Sequence, residues 1–185
     1  MEQIIYIIGQ ILGIVAIAMG FISYQTRTQK GLLLMQFATC AVFCLHYLMI
    51  GAFTATAMNS IGVVRNAVYY FREKKGSTNK LLPIIFAVIM AIVGIITWEA
   101  WYSVFVFAGL IINTLCLAFR DPQNVRRSIL VSSPLVIAYD VFVLSIGGVV
   151  YESVVIVSSI IGIVRHSESR LQKEEKAKIK STVTE

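Results

Sequence analysis

The chain has 185 residues, 57% of them hydrophobic and 14% charged, with a mean hydropathy of +0.79, against about 25% charged residues in an ordinary soluble domain. A single soluble core of this length could not hide so much apolar surface, so the bilayer is expected to act as solvent for one compact bundle with no second domain. The net charge of +6 does not point to nucleic acid, because the basic residues stand in short clusters between apolar runs and not in a stripe interleaved with exposed aromatics.

Taken in chain order, the apolar runs predict seven membrane-spanning helices at residues 4–24, 32–50, 52–71, 81–97, 101–119, 128–146 and 149–164. Helices are required because a backbone amide in lipid needs a partner within its own segment, and the period-2 alternation of a membrane barrel is absent. The first run begins almost at Met1, preceded by Glu2, without the basic leader of a secretory signal, and reads as a retained helix. Arg27 and Lys30 follow it; Arg72, Lys74, Lys75 and Lys80 follow the third run; Arg120, Arg126 and Arg127 the fifth; and Arg170, Lys173, Lys176, Lys178 and Lys180 the seventh. The even-numbered connections carry no basic residue, only Glu99 and Glu152. The positive-inside rule then puts the amino terminus outside and the carboxyl terminus in the cytoplasm. Trp98, Trp101 and Tyr102 cluster at one connection, and Tyr69 with Tyr70 near the end of the third run, as interfacial aromatics do.

An internal repeat gives these runs an architecture. A shift of 93 places Arg27 on Arg120, Thr39 on Ser132, and His46-Tyr47 on Tyr139-Asp140; a shift of 100 then places the segment ending Arg65-Asn66 on the one ending Arg165-His166. The change of shift predicts about seven extra residues in the last outer connection, around Gly147 and Gly148. The expected all-α layout is a first three-helix repeat over 1–76, an inverting linker helix over 77–98, a second parallel three-helix repeat over 99–166, and a polar cytoplasmic tail over 167–185.

The segment 46–51 (His-Tyr-Leu-Met-Ile-Gly) with Asn59 and Arg65, and the segment 145–148 (Ser-Ile-Gly-Gly) with Glu152 and Arg165, resemble the YgjV-type bacterial inner-membrane proteins. The resemblance runs to about Arg165 and implies a fold relationship to the SWEET, SemiSWEET and PQ-loop transporters of small solutes. It departs from that group in lacking the proline-glutamine pair and most hinge prolines. Pro83 falls in the linker helix and Pro122 in a loop, leaving Pro134 as the one candidate mid-helix hinge.

Polar residues within the runs mark the candidate site. At 1.5 Å of rise per residue, Asn59, Ser158 and Ser159 lie about 10–12 Å below the outer edge, and Asn113, His46 and Asp140 about 18–21 Å from a run end. With Tyr139, they come from the second, third, fifth, sixth and seventh runs, as a solute cavity between repeats requires; interhelical hydrogen bonding without a ligand is the competing account. Asp140 is costly in mid-membrane and needs a partner or water. The nearest repeat-equivalent candidate is His46, whose neighbour Tyr47 occupies the position matching Asp140. A neutral Asp140 held by a tyrosine hydroxyl and proton or cation coupling are the two explanations. Arg65 and Arg165 are read as snorkelling to cytoplasmic headgroups or as closing an inner gate.

Cys40, Cys44 and Cys116 sit inside apolar runs with no metal-ligand spacing, and neither metal nor cofactor is expected. No Gly-rich phosphate loop, HExxH or GxSxG motif points to an enzyme. The resulting expectation is a facilitator or proton-coupled carrier for a small polar solute such as a sugar, embedded in the bacterial inner membrane and compatible with a homodimer. The alternative is a membrane scaffold or receptor that recruits a cytoplasmic partner through its basic surface.

Overall fold

A computed structural model describes residues 2–26, 28–75, 81–117 and 122–183, without the side chains of 2, 24, 122 and 166–183. Arg27, Lys80 and Arg120 lie outside the described residues, as do the basic side chains of the tail. The described residues form seven helices: α1 (Glu2–Gln25), α2 (Gln29–Met49), α3 (Phe53–Lys74), α4 (Leu82–Ile96), α5 (Ser103–Cys116), α6 (Pro122–Phe142) and α7 (Ile146–Val183). Three stretches, Gln3–Ser23, Gln29–Met49 and Ile146–Arg165, are long and apolar enough to cross a membrane, while α4 and α5 are shorter apolar helices.

Local sequence explains the helix ends. The Thr28 hydroxyl accepts from the Gly31 amide at 3.2 Å and caps α2. Pro122 opens α6 as its first residue, where a missing N–H costs nothing, and so does not lie in a loop. Pro134 lies inside α6 without ending it. Beyond Arg165, α7 continues as one helix to Val183.

Six helices close a ring: α1 packs on α2, α2 on α3, α3 on α5, α5 on α6, α6 on α7, and α7 back on α1, with α4 against α3 and α5. The outer faces of α1 and α4 are apolar and exposed (Ile4, Ile7, Ile14, Ile85, Ile92, Ile95), whereas buried polar side chains gather inside, the inverse of a soluble bundle.

The α2–α3 and α6–α7 turns repeat each other in atomic detail. In the α2–α3 turn, Ile50 N donates to His46 O, Gly51 N to Leu48 O, Ala52 N to Tyr47 O and Thr56 N to Ala52 O, at 2.9–3.3 Å. In the α6–α7 turn, Val143 N donates to Tyr139 O, Leu144 N to Val141 O, Ser145 N to Asp140 O and Val149 N to Ser145 O, at 2.8–3.4 Å. Every atom pair of the second turn lies 93 residues beyond its counterpart, and the left-handed residue recurs as well: Gly51 has φ +80° and Leu144 has φ +53°. The turns are equally long, so the last outer connection contains no extra seven residues. The shift of 100 is a sequence match displaced along α7, because seven residues are about two helical turns and return to the same face about 10 Å further on.

Candidate functional site

The buried polar residues sort into two layers at the junction of the halves. The layer beside the two short turns centres on α2 and α6. The Tyr47 hydroxyl donates to Asp140 Oδ1 at 2.7 Å, and both residues are buried. Next to them, His46 Nδ1 faces the Gly9 carbonyl at 2.7 Å, which can only accept, so Nδ1 carries the proton and Nε2 accepts from the Ser145 hydroxyl at 2.8 Å. A methyl at Gly148 would lie 2.5 Å from both Asp140 Oδ2 and Ser145 Oγ, so glycine is what lets α7 approach this cluster.

The same layer is tied to the neighbouring chain segments by interchanged contacts. Gln10 of α1 accepts from Gly147 N at 3.1 Å, and 93 residues from each, Ser103 of α5 meets Thr54 at 3.4 Å. Likewise His46 is held by Gly9, while Tyr139 packs on Tyr102 with ring centroids 5.9 Å apart. Glu99 spans the halves, accepting from the Phe53 amide at 2.7 Å and from the Tyr139 hydroxyl at 3.3 Å.

Deeper in the ring is a cavity of about 60 Å³, walled by α2, α3, α5, α6 and α7. Its wall includes four pairs 93 residues apart, Gln36 with Ile129, Thr39 with Ser132, Phe43 with Val136 and Asn59 with Glu152, together with Asn113 and Arg65 and the rings of Tyr47 and Tyr151. The Tyr47 ring therefore forms part of the cavity wall while its hydroxyl holds Asp140. Asn59 Nδ2 donates to Ala55 O at 2.9 Å, and Thr39 Oγ1 donates to Met35 O at 2.8 Å. Asn113 is 8% exposed, and its Oδ1 has no hydrogen-bond partner.

Several expected site residues fall elsewhere. His46, Tyr139 and Asp140 belong to the turn-side layer and not to the cavity wall. Ser158 lies at the α1–α7 seam, where its Oγ meets the Phe21 carbonyl at 3.3 Å and Gln25 Nε2 at 3.0 Å. Ser159 is fully buried outside the wall, so it does not border one cavity with Asn59. The cause is the register of α7: with the turns matched at 93, Glu152 stands where Asn59 does, and Ser159 is two turns further along. Glu152, expected in a connection, is instead in the second turn of α7.

Arg65 does not snorkel. It is 2% exposed, and its guanidinium donates to Asn66 Oδ1 from Nε at 3.2 Å and Nη2 at 3.1 Å, and to Thr114 Oγ1 from Nη1 at 2.5 Å. Arg165 is exposed, so the two arginines do not occupy equivalent places and do not form a matched gate. Arg126, expected in a loop, is buried in α6 and donates to Thr26 O at 3.1 Å.

Sequence reasoning missed Glu152, Tyr47, Thr39 and Ser132 as site residues; the 93-residue spacing from Asn59 was the signal that could have found Glu152. Among the described residues no group of three or more His, Cys, Asp or Glu side chains could hold a metal. Neither the curated proteins nor the solved structures provide a significant match to this chain. The family model for Imp-YgjV, described as bacterial inner membrane protein, matches residues 7–170. That span covers α2–α6, most of α1, α7 as far as residue 170, both turns and the whole cavity wall, and the chain therefore belongs to the Imp-YgjV family of bacterial inner membrane proteins.

Proposed function

We propose that the protein is a carrier of a small polar solute, built as two parallel three-helix repeats, α1–α3 and α5–α7, joined by α4 as an inverting linker in the manner of SWEET transporters. All seven helices cross the membrane in this reading, with the amino terminus outside and the basic ends of α3 and α7 in the cytoplasm. The observation that carries it is the cavity walled by both halves at mid-bundle and bounded toward the turns by the Tyr47–Asp140 bond. Transporters built from parallel repeats place their sites at such an interface.

The Tyr47–Asp140 bond acts as the closure of one end. A single hydrogen bond nets about 1 kcal/mol, enough to hold a gate about fivefold toward the closed state without locking it. Rocking of one half against the other breaks it and admits solute from the turn side. No catalytic step belongs to this reading: the Ser145–His46 contact seen among the described residues is spent within the buried turn-side layer.

The run of α7 to Val183 favours a second reading, in which the helical arm recruits a cytoplasmic partner. Thermal unfolding of the purified protein against sugars, nucleosides, vitamins and amino acids separates the two, because a bound solute stabilises the native state. The carrier reading expects a solute that raises Tm in the wild type and not in Asn59→Ala. A panel without effect, together with capture of a partner that is lost on truncation after Arg165, supports the arm.

A further inference from the structure

The hydrogen-bonding capacity left free in the cavity wall narrows the chemistry of the solute. Some of the polar protons around it are used: Tyr47 donates to Asp140, Thr39 to Met35 O, and Asn59 Nδ2 gives one proton to Ala55 O. Oxygen acceptors remain in the wall: Asn113 Oδ1 is without a partner, and Asn59, whose Nδ2 gives one proton to Ala55 O, has its own carbonyl oxygen to offer. Glu152 adds a carboxyl group.

These acceptors and the carboxyl group suit a ligand group that donates, and a primary ammonium with three N–H donors is such a group. The aromatic rings agree. Phe43 and Tyr151 meet edge to face with centroids 4.5 Å apart, and Phe43 and Tyr47 stack at 5.5 Å. A cation at their edge of the cavity would lie beside aromatic rings and not beside a second positive group. In the same wall Arg65 supplies a permanent positive charge, fixed in direction by Asn66 and Thr114. A cation and a carboxyl group sharing one small cavity match a ligand that carries both charges.

Size limits the ligand further. A volume of about 60 Å³ is the space of a few waters, so the cavity suits a compact solute better than a hexose. We propose that the cavity binds a small zwitterion of amino-acid type, with its ammonium among Glu152, Asn59 and Asn113 and its carboxylate toward Arg65. This rests on the carrier reading for the site and goes beyond it in naming the class of solute, in place of the sugar expected from family resemblance.

Cys40 borders the cavity and reports its occupancy. In full-length protein carrying Cys44→Ala and Cys116→Ala, modification of Cys40 by methyl methanethiosulfonate is timed with glycine, L-alanine, ethylammonium, acetate or glucose present at equal millimolar concentration. Glycine and L-alanine are expected to slow the reaction about tenfold near saturation, ethylammonium and acetate less, and glucose not at all. Glu152→Gln, which preserves shape, is expected to abolish protection by glycine and ethylammonium while sparing that by acetate. The wild-type ranking needs no variant, so a folding defect in Glu152→Gln leaves the test intact. Protection by glucose without protection by glycine overturns the zwitterion and keeps the carrier. A Cys40 that reacts and is protected by none of the five overturns the zwitterion, and Cys40 inaccessible from both faces of the membrane overturns the carrier as well.

Discussion

Tyr47 and Asp140 occupy the same position in the two halves of the chain, 93 residues apart, and they hydrogen-bond directly to each other at 2.7 Å. Equivalent residues of a two-fold repeat can touch only where both lie close to the axis relating the halves. Their contact therefore marks that axis at the turn-side end of the bundle, and the cavity lies along it. In the proposed carrier, tilting one half away from the other at that end breaks this bond, and the bond serves there as a closure.

The seam between α1 and α7 tolerates no added bulk where Gly13 meets Gly147. A methyl at Gly147 would lie 2.8 Å from Gly13 Cα, and backbone cannot move aside as a flexible side chain can. Gly147→Ala is expected to destabilise the protein by about 1–3 kcal/mol, the cost of overpacking a filled interface. Thermal unfolding in detergent should show a clearly lower Tm, and an unchanged Tm would mean that the seam is looser than described.

Leu144 holds the left-handed conformation that glycine holds in the first turn, and its side chain is 69% exposed. A non-glycine residue there costs roughly 1 kcal/mol. Leu144→Gly makes the second turn like the first and is expected to raise Tm by a few degrees. The backbone carbonyl that receives Tyr6 and Gln10 is untouched by the change. A lower Tm would show that the leucine side chain contributes more in the membrane than its strain costs.

Much of this fold was legible in the sequence because lipid leaves few choices: a long apolar run must be a helix, and the seven runs correspond to the seven helices. The pairing of Tyr47 with Asp140 was also within reach, since a carboxyl group in mid-membrane requires a partner and the repeat supplied one. The register of the last helix was not. The match of Ile61–Arg65 to Ile161–Arg165 is strong in letters, but seven residues are two turns, so helix periodicity alone cannot separate the true alignment from one displaced along the axis. That ambiguity put Ser159 opposite Asn59 and hid Glu152. Burial of Arg65 was equally hidden, because of the side chains it donates to, Asn66 is an adjacent residue and Thr114 of α5 is brought close only by packing.

Arg65 is predicted to be intolerant of Lys. The guanidinium serves Asn66 and Thr114 at once with planar, divergent donors, and an ammonium on a flexible stem cannot reproduce both. Arg65→Lys is expected to lower stability by about 1–3 kcal/mol through groups left unpaired. Unfolding of Arg65→Lys and Thr114→Val, alone and combined, should be less than additive, and strict additivity would show that the two do not interact.

The distribution of basic residues fixes the orientation expected in the bilayer. Reporter tags after Lys74, after Arg120 and at Glu185 should be cytoplasmic, and tags near Gly51, Glu99 and Gly148 should be outside. An even number of crossings would remove the parallel repeats and the carrier with them.

The account turns on one claim, that the cavity opens to the turn side when the Tyr47–Asp140 bond breaks. With Cys40 as the only cysteine, a membrane-impermeant thiol reagent applied separately to right-side-out and inside-out vesicles measures access to the cavity from each face without knowledge of the solute. The account predicts slow labelling from both faces in the wild type and, in Tyr47→Phe, labelling raised about fivefold from the turn side alone, the effect of losing one hydrogen bond of about 1 kcal/mol. Cys40 unreactive from both faces, in the wild type and in Tyr47→Phe alike, would contradict it and leave a closed scaffold in place of a carrier.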